Sequence, residues 1–241
     1  MGVADAGEHP LVTVFREIGR GRPATLEGKV VAMPAPVGAV AAVAAFTGHV
    51  AVAADVPAQE VLAQLPADDL GAPLGVPFLS WLGRRAGATP GLQCLVLVHG
   101  GPAAGGAGGA RTAVTGSGAG HGAAEAGIRL VPRPDLRAHP RAARALRRRT
   151  SVTPYGDAGG RGLITLGRGL AGRWELGVEL EAAYQGQGLG RRFIGAAVAI
   201  CPPGEAVYAQ VPAANARSIR AFLGAGFRII GAEVLYHVGH G

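Results

Sequence analysis

The sequence predicts an α/β (α+β) fold in which strands and helices alternate along the chain. Three observations predict it. Apolar runs such as 92–98 have the length of buried strands, and the residue pattern of 49–54 alternates with the period of a strand. The segments 162–166 and Trp174–Leu180 read as an antiparallel pair joined by a short glycine-containing connection. Between such runs, stretches such as 77–85 carry apolar residues at helical spacing.

Residues 1–99 are predicted to form a small α/β region of unknown function. Pro57 stands where proline is favoured, in the first turn of a helix. The expected strands are 30–33, 49–54 and 92–98, and the expected helices are 37–46, 57–65 and 77–85. No motif in this region has a chemistry that can be named.

Residues 100–127 are dominated by Gly, Ala, Ser and Thr. Such a segment cannot bury enough apolar area to offset the entropy cost of ordering it, so a mobile linker is expected. The linker divides the chain into 1–99 and a second domain, 128–241.

The second domain contains a clearer succession of elements. Pro140 is expected to break the stretch 135–149 or to start its main helix, because proline does not fit a helix interior. The arginines after Pro140 are interpreted as a solvated basic face. The expected strands are 128–131, 151–155, 162–166, Trp174–Leu180, 206–211 and a strand or hairpin at 227–238, with further helices at 189–200 and 215–225.

The composition bounds the function. An apolar fraction of 49% with 16% charged residues is typical of a globular chain. The net charge of +7 is compatible with nucleic acid, but no zinc-ligand spacing, aromatic β platform or recognition helix accompanies it. A small polyanion accounts for the charge equally well, so no nucleic-acid partner is expected.

The cysteines and the N-terminus indicate a cytoplasmic protein. Cys94 and Cys201 lack CxxC spacing and are interpreted as buried, reduced thiols. The N-terminus does not have the pattern of a signal peptide, and the apolar run 37–46 is too short to span a bilayer. No membrane partner and no metal are expected.

A glycine loop joins strand Trp174–Leu180 to an apolar helix. It reads Gln185-Gly186-Gln187-Gly188-Leu189-Gly190 and is followed by Arg191 and Arg192. The first turn of a helix has unpaired N–H groups at the positive end of the backbone dipole, and glycines let a phosphate come close to them. The loop therefore predicts a diphosphate site, to which the arginines can add charge-assisted contacts.

Three alternatives compete with a diphosphate site in this loop. It is not a Walker loop, because no Gly-Lys-Ser/Thr follows. It is not a good dinucleotide fingerprint either, because its glycine spacing departs from GxGxxG. A tight strand-to-helix turn without a ligand is the remaining alternative.

A second motif follows the loop. The strand 206–211 leads to Asn215 at the start of a helix that contains Ser218, Ile219 and Phe222, and the chain leaves it through Gly226-Phe227. Together, Gln-x-x-Gly-x-Gly and Asn-x-x-Ser-Ile-x-x-Phe-x-x-x-Gly-Phe at this separation resemble the GCN5-related N-acetyltransferase (GNAT) superfamily. The resemblance covers roughly 128–241.

The resemblance implies a fold and a cosubstrate. The fold is a mixed, mostly antiparallel twisted sheet flanked by helices, preceded here by the smaller α/β region, which one interpretation makes a degenerate copy of the same fold. The implied cosubstrate is acetyl-CoA. Main-chain groups of Val178 and Leu180 would pair with its pantetheine arm, and the backbone from Gln185 to Arg191 would hold its pyrophosphate. Asn215 and Phe222 would lie beside it, with a helix N-cap as the alternative role of Asn215.

The resemblance also implies catalytic roles. The base that deprotonates the amine is sought among Glu175 and Glu179, which share one face of their strand, with Glu233 a further candidate. The N–H of Leu180 would stabilise the developing oxyanion. Phe222 stands where the family usually has a tyrosine that protonates the thiolate, so Tyr236 or Tyr208 would have to take that role.

The function implied is N-acetyl transfer from acetyl-CoA to a primary amine of a small molecule or peptide, by direct attack in a ternary complex. The alternative is a catalytically weak or inactive module that binds acyl-CoA as a sensor or interaction domain. Phe222 and the absence of a clear base keep that alternative open. A monomer or homodimer is expected.

Overall fold

The computed structural model describes residues 8–22, 28–100 and 127–238. The predicted linker therefore lies outside the described residues, apart from Gly100 and Gly127 at its ends.

The described chain forms both helices and strands. The helices are α1 (Pro10–Gly19), α2 (Ala58–Ala63), α3 (Val76–Ala86), α4 (Pro140–Arg148), α5 (Leu189–Ala199) and α6 (Ala216–Gly224). The strands are β1 (Lys29–Met33), β2 (Ala41–Phe46), β3 (His49–Ala54), β4 (Thr89–Pro90), β5 (Cys94–His99), β6 (Val131–Pro132), β7 (Thr150–Gly156), β8 (Gly162–Arg168), β9 (Trp174–Leu180), β10 (Val207–Pro212) and β11 (Arg228–His237). Among the described residues, no helix is both long enough and apolar enough to cross a bilayer.

The strands form one mixed sheet. Their order is β1-β3-β2-β11-β5-β10-β9-β8-β7-β6, and β4 pairs with the end of β11. Neighbours run antiparallel, except that β1 is parallel to β3 and β9 is parallel to β10. The prediction of a mixed, mostly antiparallel sheet flanked by helices is confirmed.

Strands from both sides of the predicted linker share this sheet. β5 lies between β10 and β11 and pairs with both of them, and β2 pairs with the other edge of β11. One sheet therefore contains strands from before residue 100 and from after residue 127. The division of the chain into two domains stays a prediction.

Helices cover both faces of the sheet. On one face, Phe15 of α1 packs against Tyr208 of β10, with the ring centroids 5.6 Å apart. On the opposite face, Phe193 of α5 and Phe222 of α6 pack against Leu97 of β5. Helices α2 and α3 extend this second layer over β2 and β3. Apolar residues that alternate along the strands supply both cores.

The segment 37–46 was predicted as a helix, and this prediction is wrong. Residues Ala41–Phe46 form β2, which lies between β3 and β11 and is buried on both faces. A strand buried on both faces is apolar throughout, so its pattern does not differ from that of a short buried helix. The tight turn at Thr47-Gly48 lets β2 pair with β3 as a hairpin.

Four other elements can be compared with the sequence predictions. The expected strand 128–131 is reduced to Val131–Pro132, and 227–238 forms one strand rather than a hairpin. Pro140 begins a helix, which is one of the two roles that the sequence predicted for it. The sequence reasoning missed α1, although Leu11, Phe15 and Ile18 have helical spacing and Pro10 stands in the first turn.

The position of β5 leads to a prediction about the fragment 128–241. Without β5, the facing edges of β10 and β11 would lose their partner, and both cores would lose apolar side chains. We expect this fragment to associate and to show no cooperative urea unfolding by circular dichroism, in contrast to the full chain. Cooperative unfolding of a monomeric fragment would instead establish 128–241 as an independent domain.

Candidate functional site

The sheet opens between β9 and β10. These parallel strands pair only at Val207 with Trp174 and at Tyr208 with Glu175. Beyond these two pairs, β9 continues to Leu180 and β10 continues to Pro212, but no further residue of β9 pairs with a residue of β10. One edge of β9 therefore has backbone groups without a partner strand in the described part of the chain, and an extended ligand could pair with them as an added strand. The predicted pantetheine contacts, Val178 and Leu180, lie on this free stretch.

The glycine loop adjoins the opening. Gly186 and Gly188 have φ angles of 79° and 73°, in the left-handed region that favours glycine. Gly188 is the N-cap of α5 and provides no side-chain acceptor for the first turn of the helix. A Cβ added at Gly186 or Gly188 would meet no atom within 4 Å, so open space lies above the loop. The unpaired N–H groups of the first helical turn are thus accessible to an anion.

Gly190 has a different role from the other two glycines. A Cβ added at this position would lie 3.4 Å from the Cβ of Ala221, so Gly190 allows α5 and α6 to pack closely. Leu189 is buried in the core below the loop. The aliphatic part of Arg191 packs over Gly224 of α6.

The side chains of both loop glutamines bind to the protein itself. Gln185 donates from Nε2 to the carbonyl oxygen of Leu180 at 3.0 Å, and its Oε1 accepts from Arg217. Gln187 donates from Nε2 to the carbonyl oxygen of Ala183 at 3.0 Å. These bonds hold the loop against the end of β9. The backbone, rather than the glutamine side chains, faces the open space.

Asn215 and Phe222 lie on α6 beside the opening. Oδ1 of Asn215 accepts a hydrogen bond from the N–H of Ser218 at 3.0 Å, so Asn215 is the N-cap of α6. The ring of Phe222 is buried and meets Phe227 edge to face, with centroids 4.9 Å apart. Phe222 has no proton to donate, and its contacts are those of a core residue.

The opening leads into a groove on the other face of the sheet. The groove lies between α1 and α4, and together with the opening beside α6 it forms one cavity of about 1880 Å³. Its floor contains Glu175 of β9, Gln210 of β10 and Glu233 of β11. Glu175 and Glu179 face the same side of β9, as predicted from the period of a strand.

The carboxylates of this floor belong to a buried ion-pair network. Arg173 donates from Nε to Glu175 at 3.0 Å, and both of its terminal nitrogens donate to Glu233 at 2.6 and 3.0 Å. The second oxygen of Glu175 lies 2.8 Å from Nε of Arg149. Gln210 donates to Glu175 at 3.3 Å. Arg173, Glu175 and Glu233 are almost completely buried, so their opposite charges compensate one another inside the protein.

This network alters the acidity of the two carboxyl groups in opposite directions. Burial alone would raise the pKa of Glu175, but Arg173, Arg149 and the hydrogen bond from the Leu170 N–H outweigh it and lower the pKa. Burial raises the pKa of Glu233, and the nearby charge of Glu175 adds to this effect, although Arg173 opposes it. Glu175 is therefore a stable carboxylate and a weak base.

The other predicted catalytic residues have different surroundings. The Glu179 side chain is about half exposed, and its carboxylate lies 3.8 Å from Arg141. The hydroxyl of Tyr236 donates to the carbonyl oxygen of Leu79 at 2.9 Å, and β5 separates its strand from β10. The hydroxyl of Tyr208 donates to the carbonyl oxygen of Phe15 at 3.0 Å. Burial raises the pKa of both tyrosines.

The structure thus places several of the predicted cosubstrate residues near one another. Gln185 of the glycine loop bonds to Leu180 at the end of β9 and to Arg217 of α6, and Asn215 lines the opening. Tyr236 lines the same cavity, but its hydroxyl is bonded to Leu79 of α3. Sequence reasoning missed Arg173, Arg149 and Gln210. The only local signal was an arginine directly before the apolar start of β9, and its partner Glu233 is 60 residues away.

Comparisons with known proteins leave the family open. No protein-family model matches the chain, and no curated protein matches it. Among solved structures, the chain is similar to an acetyltransferase of the GNAT family from Colwellia psychrerythraea, at 13% identity and a TM-score of 0.35. The match covers 62% of this chain and 57% of that chain, so it spans little more than half of the length of that protein.

The buried network yields a stability prediction. Arg173→Met would leave Glu175 and Glu233 buried without their shared cation, and breaking such a network costs about 3–5 kcal/mol. We expect urea denaturation to show a loss of that size. As a matched control, Arg85→Met removes an exposed ion pair with Glu60 and should change stability little. Equal effects of the two substitutions would contradict a structural role for the network.

Proposed function

We propose that this protein transfers an acetyl group from acetyl-CoA to a primary amine by direct attack in a ternary complex. The observation that carries the proposal is the opening between β9 and β10 next to the glycine loop at the start of α5. An unpaired strand edge and an exposed helix N-terminus, placed side by side, suit a ligand with an amide-containing arm and a diphosphate. Acetyl-CoA has both.

The residues around the opening fit this cosubstrate. The open space above Gly186 and Gly188 has room for phosphate oxygens, and the N–H groups from Gln185 to Arg191 would hold the pyrophosphate. Main-chain groups of Val178 and Leu180 would pair with the pantetheine arm. When bound, acetyl-CoA supplies an electrophilic thioester carbon.

The amine would approach through the groove on the opposite face. Its proton must be removed before attack, and Glu179 and Glu175 are the carboxylates of β9 that face this groove. Glu175 is buried and already paired with Arg173 and Arg149, so the more exposed Glu179 is the better candidate to accept the proton. The N–H of Leu180 is the proposed donor to the carbonyl oxygen.

The candidate donors of a proton to the departing thiolate are poorly suited to that role. Phe222 has no proton to donate, and the hydroxyls of Tyr208 and Tyr236 are engaged with backbone carbonyls. Since an ordinary thiol has a pKa of about 8.5, it can leave near neutral pH without help, although general acids typically contribute about 10²- to 10⁴-fold. The proposed enzyme is therefore a slow one.

The same observation favours a second candidate function. A protein that binds acyl-CoA at the opening but lacks an acid and an efficient base would serve as a sensor or interaction module. The glycine loop and the free strand edge support binding equally in both cases, so only turnover distinguishes them.

Incubation with acetyl-CoA and a panel of primary amines tests the proposal. We expect release of free CoA, measured by a thiol reagent, and acetylated amine, measured by mass spectrometry, with heat-unfolded protein as the control. Calorimetric binding of CoA without turnover across the panel would select the binding module. Absence of both binding and turnover would overturn both candidates.

The phosphate cradle can be tested at Gly188. Gly188→Glu places a carboxylate where the diphosphate is proposed to bind, so we expect calorimetry to show loss of CoA binding. Gly160→Glu is a matched control, because Gly160 also has a positive φ, 61°, and open space around it, but lies in the turn between β7 and β8. If both variants bound CoA like the unmodified protein, the cradle would have been assigned wrongly.

A further inference from the structure

The groove between α1 and α4 contains more positive than negative charge. Its carboxylates are all ion-paired with arginines in the described part of the chain. These carboxylates are Glu8, Glu175, Glu179, Glu205 and Glu233, and their respective partners are Arg16, Arg149, Arg141, Arg168 and Arg173.

The surplus cations lie on α4. Arg144, Arg147 and Arg148 line the groove, and no carboxylate of residues 8–22, 28–100 or 127–238 lies within ion-pair distance of them. Arg141, Arg144 and Arg148 are three and four residues apart in turn, so they lie on the same side of the helix. The buried Ala145 between them keeps this part of α4 close to the sheet.

The arginines of α4 are held close enough to repel one another. Burial lowers the pKa of Arg148, and the charges of Arg144 and Arg147 lower it further. Burial likewise lowers the pKa of Arg141, and the charges of Arg149 and Arg144 lower it further. A bound anion would relieve this repulsion and would gain charge-assisted hydrogen bonds.

Two observations place Arg148 and Arg141 toward the floor of the groove. The pKa of His237 on β11 is lowered first by burial and second by the charge of Arg148. The guanidinium of Arg141 lies over Gly177 of β9, with Nε and Nη2 each 3.4 Å from a Cβ built there. Nε of Arg141 is buried and has no hydrogen-bond partner within the described chain. The cationic side of α4 therefore faces the strands that carry Glu175 and Glu179.

We infer that the acceptor of this protein is a small amine that also carries an anionic group, a carboxylate or a phosphate, bound by Arg144 and Arg148. This inference rests on the proposed function, since it names the class of amine that would enter the groove. The amine would lie at the carboxylates of β9, and the anionic group would lie against α4. Planar guanidinium groups bind carboxylate and phosphate oxygens in pairs, which orients the molecule.

The same charges exclude another class of acceptor. A polyamine or a lysine-rich peptide would bring additional cations toward arginines that already repel one another. The expected preference is therefore for acidic over neutral amines and for neutral over polycationic ones.

Matched acceptors test the inference. Glutamate is compared with glutamine amide, in which both carboxylates are replaced by amides, and phosphoethanolamine is compared with ethanolamine. The first pair tests a carboxylate and the second pair tests a phosphate. We expect the acidic member of at least one pair to have a kcat/KM about tenfold higher or more. In Arg144→Gln/Arg148→Gln we expect this preference to fall to about one, with CoA affinity unchanged. Arg137→Gln, an exposed arginine outside the groove, serves as the control.

The outcomes separate this inference from the proposed function. Acetyl transfer without a preference for acidic amines, or with a preference that survives the double substitution, overturns the inference and leaves acetyl transfer standing. If the protein binds no CoA, the proposed function fails, and calorimetry with phosphoethanolamine and with glutamate decides the anion site. Saturable binding that the double substitution removes supports the site, and absence of binding overturns it.

Discussion

The two halves of the sheet meet at β9 and β10, where backbone pairing ends after Glu175 and Tyr208. A sheet that opens in this way loses the ladder of hydrogen bonds that would align its halves. Arg173 holds them together because it joins Glu175, at the last paired position, to Glu233 on β11. Its guanidinium also lies 4.1 Å from the ring centroid of Phe15, which ties α1 to the same point. The opening depends on this buried network.

The two faces of the sheet offer different chemistry at the opening. On the side of α5 and α6, an apolar core ends in a glycine loop with accessible N–H groups. On the side of α1 and α4, the groove is lined by carboxylates and by a larger number of arginines. In the proposed function, a donor that binds through phosphates and an acceptor that binds through charge would approach from opposite faces. They would meet where the strands separate.

The region before residue 100 contributes directly to this site. β5 forms part of the sheet between β10 and β11, and Cys94 at its start lines the groove. α1 forms one wall of the groove and packs Phe15 against both Tyr208 and Arg173. Residues 128–241 alone would form a site without one wall and without part of the floor.

The sequence by itself determined the features that depend on neighbouring residues: the glycines that allow positive φ at Gly186 and Gly188, and the N-cap at Asn215. The strand, loop and helix from 174 to 199 follow from spacing for the same reason. Only the tertiary structure decided that Ala41–Phe46 is a strand, because a strand buried on both faces is apolar throughout and does not alternate between apolar and polar residues. It also decided the insertion of β5 and the pairing of Arg173 with Glu233, since contacts between distant segments leave no mark on local spacing.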